Sequence, residues 1–212
     1  MPRRVDHEER RSKILEALIS VATREGLHAV SLRSVAAEAG VSLRLVQYYF
    51  ETKGGLMAAG LARLERVSHA RWADRLAALP QPPGARATLD ALCAEALPTD
   101  PASRDFHLLW MSYTVLALTD PGISDRVFVE GPARLQRRIV EILERGKAGG
   151  EFPASLDAGV EATLLLGLIH GLGTAVLVGQ QTATNAAACL SFHLDRLASG
   201  TAPPGTTGPA AR

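Results

Sequence analysis

The 212-residue sequence is 47% hydrophobic and 21% charged, with a formal net charge of +1. That is the make-up of an ordinary folded chain, long enough to bury a core as one domain or two small ones. Residues 1–55 carry nine Arg/Lys against seven Asp/Glu, and the rest fourteen against fifteen. Bulk charge therefore announces no partner, and any nucleic-acid reading has to rest on residue placement. Cys93 and Cys189 lie far apart in no paired pattern, which argues against a disulfide scaffold or zinc site and reads as two buried thiols of a cytoplasmic protein.

Helical periodicity runs through almost the whole chain, and no alternating run suggests a strand, so the expected fold class is all-α. The first helix is expected to start at Asp6, with Glu9 completing a capping box, and to end at Gly26; Ile14, Leu15, Leu18, Ile19 and Ala22 form its apolar stripe. Ser31 caps a short helix from Leu32 to Ala39, stopped by Gly40. Ser42 caps another from Leu43 to about Phe50. Thr52 caps a long helix from Lys53 to about Leu79, with Leu56, Gly60, Leu61, Leu64 and Val67 at core spacing. PQPPG at 80–84 breaks the pattern, and further helices are expected near 85–97, 103–119, 123–148, 157–179 and 183–198. In the helix near 123–148, Arg137, Glu141 and Arg145 at i, i+4 spacing read as a solvated face with weak ion pairs. The last residues, 199–212, are rich in Gly, Pro, Thr and Ala and read as disordered.

Residues 162–194 contain no Asp, Glu, Lys or Arg, and 162–179 is long enough to span a bilayer. The segment also holds Thr163, His170, Thr174 and four glycines, and no basic or aromatic belt anchors its ends. A helix apolar on every side reads more simply as one buried in a protein interface, so no membrane span is expected. The start, MPRRVDHEERR, has no apolar stretch of the kind a secretory signal needs.

The segment that carries function is SLRSVAAEAGVSLRLVQYYFETKGGL, residues 31–56. A helix, a three-residue turn at Gly40–Val41–Ser42 and a second helix follow one another. Small Ala36, Ala37 and Ala39 permit a close crossing, and Val35, Val41, Val46 and Phe50 supply its core. The outer face of the second helix then presents Leu43, Arg44, Gln47 and Tyr48, side chains suited to base edges in a major groove, where Arg reads guanine and Gln reads adenine.

With Ala36, Gly40-Val41-Ser42, Tyr48-Tyr49-Phe50 and Lys53 in this order, the sequence resembles the tetracycline-repressor (TetR) family of bacterial regulators. The resemblance is tight over about 50 residues; it departs at Arg44, where Gly is often found, and at Gln47, where Tyr is frequent. It implies DNA contacts from Ser31, Arg33, Ser42, Leu43, Arg44, Leu45, Gln47, Tyr48 and Tyr49, and a phosphate contact from Lys53 at a helix N-terminus. It also implies a helix-turn-helix domain at 1–55 and a helical ligand-binding and dimerisation domain at 56–198. The stretches 167–179 and 191–197 are similar to the BetI-like subgroup, which includes choline-responsive repressors.

The residues themselves point the same way for dimerisation. Gly167, Gly171 and Ala175, four apart, make a ridge that permits close helix packing beside Leu164, Leu168 and Leu172, and Leu190, Leu194 and Leu197 give the last helix its own apolar side. For the ligand, Phe106, His107, Trp110, Tyr113 and Thr114 concentrate rings and polar groups on one helix, with His170 and Thr174 able to converge on them. None of these is charged, so the expected effector is small and neutral, apolar or aromatic. No catalytic motif or metal-ligand spacing is present, and no cofactor is expected. The alternative to a ligand-responsive homodimeric repressor on an operator is a helix-turn-helix protein controlled by a protein partner; an enzyme is the least supported reading.

Overall fold

The computed structural model describes the backbone of residues 2–119 and 125–200 and the side chains of 7–115 and 131–200. Among these residues the regular structure is helical: α1 (Pro2–Glu25), α2 (Leu32–Ala39), α3 (Leu43–Phe50), α4 (Lys53–Ala77), α5 (Ala85–Ala96), α6 (Pro101–Thr119), α7 (Asp125–Ala148), α8 (Ala158–Leu177) and α9 (Ala183–Ser199), with a short 3-10 turn at Leu27–Ala29. The all-α expectation holds. The tail read as disordered lies, from residue 201 onward, outside the described residues.

The start of α1 differs from the expected cap at Asp6. The helix begins at Pro2, because a proline at the first helical position needs no N–H partner and already has the helical φ.

Two apolar cores organise the chain. The first packs α1, α2, α3 and the front half of α4 around Ile14, Leu15, Val35, Val46 and Leu56, and it also takes in Leu109 and Tyr113 from α6. The second packs α5, α7, α8 and α9 around Leu89, Ile139, Leu143, Leu165 and Leu194. Val67, expected in the core, is 44% exposed because α4 leaves the first core after Leu64.

Several polar contacts lock helices together. Arg24 bonds Glu38 at 3.0 Å, and Ser20 donates to the same carboxylate at 2.7 Å; the Arg24 guanidinium holds Glu38 down to about 2. Arg63 ties α4 to Ser12 and Glu16 of α1, each at 2.7 Å. The first two N–H groups of α5 lack a capping side chain at Gly84, and Glu151 accepts from Ala85 and Arg86 instead, at 2.7 and 3.0 Å. On α7, Glu141 pairs with Arg138 at 3.1 Å.

Cys93 is buried and its thiol is pushed up to about 12 by burial. Cys189, read as buried, is exposed on α9. Phe192 on the same helix, and Val160, Leu164 and Leu168 on α8, are exposed as well. Methyl groups added at Gly167 or Gly171 would meet nothing within 4 Å.

Candidate DNA interface and effector cavity

The helix-turn-helix is built from local rules. Ser31 accepts from Ser34 N at 3.0 Å while Ser34 Oγ accepts from Ser31 N at 2.9 Å, a reciprocal cap on α2. Gly40 closes α2 in the left-handed conformation (φ 63°, ψ 37°); its N–H donates to Ala37 O, and Val41 N–H to Ala36 O at 3.0 Å. Ser42 caps α3 by accepting from Leu45 N at 3.2 Å. Past α3 the chain reverses through Glu51 at φ 56°, and Thr52 accepts from Gly55 N at 3.0 Å to start α4. Gly55 is needed here, since a Cβ would meet Phe50 O at 2.5 Å.

These turns set α3 across α2 with Val46 and Phe50 inward. Ser31, Arg33, Ser42, Arg44, Gln47 and Tyr48 are exposed. Leu43, Leu45, Tyr49 and Lys53 are half-buried, Leu43 and Tyr49 against the first core. Arg44 and Gln47 are three residues apart on α3 and so share one of its faces.

A second feature is a cavity of about 110 Å³, partly open, lined by α4, α5, α6, α7 and α8. Phe106, His107, Trp110 and His170 line it, as expected ligand residues. The Trp110 indole stacks on the His170 ring with centroids 4.2 Å apart and planes 27° apart. Burial, with the neighbouring His107, brings His170 down to about 4, and burial lowers His107 as well. Both rings are therefore neutral at physiological pH.

The other three expected ligand residues are placed elsewhere. Tyr113 is buried in the first core. It shares a face of α6 with Phe106 but stands seven residues, about 10 Å, further along the axis. Thr114 and Thr174 donate to the carbonyls of Trp110 and His170 in their own helices, each at 2.8 Å.

The cavity also has walls that the sequence reading did not single out. α4 contributes Glu65, Ser68, His69 and Trp72, α5 contributes Glu95, and α7 contributes Gly131, Pro132 and Arg134. The α4 set recurs at i, i+3, i+4, i+7, directly after the apolar stripe ends at Leu64; that change of character along one helix face was the available signal. Both carboxylates are paired: Glu95 with Arg71 and Arg75 at 3.2 and 3.3 Å, Glu65 with Arg134 at 3.0 Å. Among the side chains that line the cavity, Trp72 Nε1 is buried without a hydrogen-bond partner, as is His107 Nε2, which faces Gly173 on α8.

Known proteins bear on both features. Residues 14–59 match the family described as bacterial regulatory proteins, tetR family, and residues 85–199 match the family described as BetI-type transcriptional repressor, C-terminal. The chain is 27% identical over 172 residues to the HTH-type transcriptional regulator PksA of Bacillus subtilis (strain 168), covering 81% of this chain and 80% of PksA. It is 29% identical over 202 residues to the HTH-type transcriptional regulator BetI of Burkholderia mallei (strain NCTC 10229), covering 93% and 97% of the two chains. A transcriptional regulator from Saccharomonospora viridis, solved in complex with choline, superposes with a TM-score of 0.74 at 28% identity, covering 89% of this chain and 94% of that one. The chain thus belongs to the TetR family of DNA-binding transcriptional regulators, with a BetI-type C-terminal half.

Proposed function

We propose that the chain is a cytoplasmic homodimeric repressor, without catalytic activity, released from a palindromic operator by a small molecule in the α4–α8 cavity. The helix-turn-helix of residues 1–55 reads DNA and residues 56–198 bind effector and partner. The observation that carries this reading is the double duty of α6. Its Phe106, His107 and Trp110 line the cavity, while its Leu109 and Tyr113 are part of the core beneath the helix-turn-helix. A molecule that displaces α6 must therefore shift α1 and α4, which position α3. By linkage, effector weakens operator binding by the factor with which operator weakens effector binding.

Dimerisation is supported by the open α8–α9 surface, where Leu164, Leu168 and Phe192 are exposed in the single chain and Gly167 and Gly171 leave room for close approach. Two helices from each copy would bury it as a four-helix bundle. The paired recognition helices would then read half-sites about 34–36 Å apart or a multiple of that.

The ring-lined wall, neutral histidines and arginine-paired carboxylates suit a compact, largely apolar or aromatic effector, and the unpartnered Trp72 Nε1 can meet its polar group. A second reading, a small organic cation, is favoured by the choline complex of the Saccharomonospora viridis regulator and by Glu65 and Glu95 beside the rings. The test is a duplex selected by the protein from a random library, footprinted with and without neutral aromatic compounds and quaternary amines while Trp fluorescence is followed. Release with quenching by one class identifies the effector. Operator binding that no compound of either class relieves would favour control by a protein partner.

A further inference from the structure

α1 reaches back beyond the matched DNA-binding region, which begins at residue 14, and its second turn lies against the recognition helix. His7 Nδ1 is 2.9 Å from the Tyr49 hydroxyl. The two rings meet edge to face, with centroids 5.6 Å apart at 74°. Tyr48 closes a triangle, 5.4 Å from Tyr49 and 6.3 Å from His7. Both His7 and Tyr48 are exposed, Tyr48 by 70%, so the triangle sits at the outer edge of the surface assigned to DNA. One turn further along, the Arg11 guanidinium lies 5.4 Å over the Phe50 ring and ties the same stretch of α1 to the end of α3.

A phenol hydroxyl both accepts and donates, and its proton rotates to suit its surroundings. If Tyr49 donates to a bare Nδ1, no proton is left for DNA. If His7 carries its proton on Nδ1, that N–H donates to the Tyr49 oxygen, occupies one lone pair, and leaves the phenol proton free to point outward. A hydroxyl that accepts a hydrogen bond is also polarised into a better donor. A phosphate oxygen accepts and never donates, so the second arrangement is the one that binding to DNA selects.

We propose that His7 is a positioning residue for DNA binding: its Nδ1–H donates to the Tyr49 hydroxyl and aims that hydroxyl's proton at a backbone phosphate. The proposal rests on α3 being the recognition helix and adds to it a contact from outside the matched region.

The test measures affinity of the full-length protein for a duplex that it has itself selected from a random library. His7→Ala and Tyr49→Phe should each weaken binding roughly 10-fold, the scale of one hydrogen bond to a charged group. The double variant should bind no more weakly than either single one, because both remove the same contact. His7→Asn, whose amide nitrogen stands near the Nδ1 position, should recover most of the affinity. Thermal melting of the His7 variants should match the parent, since His7 is exposed. His7→Ala binding as tightly as the parent, or more tightly, or with a loss that adds fully to that of Tyr49→Phe, would overturn the proposal. Arg44→Ala separates the two levels: if it too binds like the parent, the recognition-helix assignment fails; if it is impaired while His7→Ala is not, the His7 assignment alone fails.

Discussion

Gly173→Ala tests whether the cavity and the packing around it are arranged as described. Gly173 is buried on α8, and a Cβ built there would overlap Cε1 and Nε2 of His107. The His107 ring is 4% exposed, and the open space beside it is the 110 Å³ cavity. The ring must therefore swing into that space or α8 must move away from α6. Overpacking of this kind costs about 1–3 kcal/mol, and replacing a mid-helix glycine by alanine returns about 1 kcal/mol. A net loss of up to about 2 kcal/mol corresponds to a fall in Tm of roughly 4–8 °C for a chain of this size. Differential scanning calorimetry and Trp fluorescence would measure it: a Tm below the parent's at equal protein concentration, with a changed Trp110 environment and weaker effector-driven release of operator. The double variant with His107→Ala should show coupling, the second change relieving the overlap made by the first. A Gly173→Ala protein that melts above the parent and responds normally to effector would refute the placement of His107 against α8.

Arg44→Ala should cost about 1–3 kcal/mol in operator binding and relax specificity at one position, whereas Lys53→Ala should weaken all sequences alike and lower the salt slope by about one, both read from binding titrations at several salt concentrations. Gly171→Arg places bulk and charge in the open α8 surface and should leave the protein monomeric in sedimentation; a variant that stays dimeric would move the interface elsewhere. His170 is held at about 4 in the folded chain against an ordinary 6.5. The unfolded chain thus binds the extra proton first, and stability should fall as pH drops through that window, by at most about 3 kcal/mol. His170→Phe, which keeps a flat ring beside Trp110, should show a shallower loss in thermal melts over the same pH range.

The helix-turn-helix was legible because every device that builds it is local. Gly40 in its left-handed turn, Ser31 and Ser42 as caps and Thr52 as the next cap each act within four residues, the range over which sequence pattern and backbone geometry are tied together. His7 escaped notice because it is 42 residues from Tyr49, and nothing in the periodicity of α1 says which end of another helix it will meet. The cavity was half legible for the same reason. The aromatic concentration on α6 stands out in a chain with 5% aromatic residues, but which of those rings would face a void depended on where α4, α5 and α7 cross α6. Helical periodicity assigns a residue to a face, and position along the axis then decides its neighbour. Phe106 and Tyr113 share the first property and differ in the second. Cys189 reversed its expected burial because the apolar surface of α9 that carries it lies open in the single chain.

In the proposed reading, the position of α6 would let a small molecule be coupled to DNA without a long chain of relays. Its cavity-facing residues and its core-facing residues alternate over two turns: Phe106, His107 and Trp110 border the cavity, and Leu109 and Tyr113 are buried in the first core. A packed core does not deform smoothly, because its side chains already sit close to crystal density. A shift of α6 forced by an occupied cavity must therefore be met by α1 and α4 moving with it, rather than being absorbed on the way. Arg63 strengthens the unit by joining α4 to Ser12 and Glu16 of α1, and Arg24 joins α1 to α2 through Glu38. The recognition helix rides on a block that meets the cavity through two helices, α6 and α4, the latter with its first half in the same core and Glu65, Ser68, His69 and Trp72 along the cavity. The coupling energy available to an effector is therefore limited by how much of its binding free energy is spent in moving them.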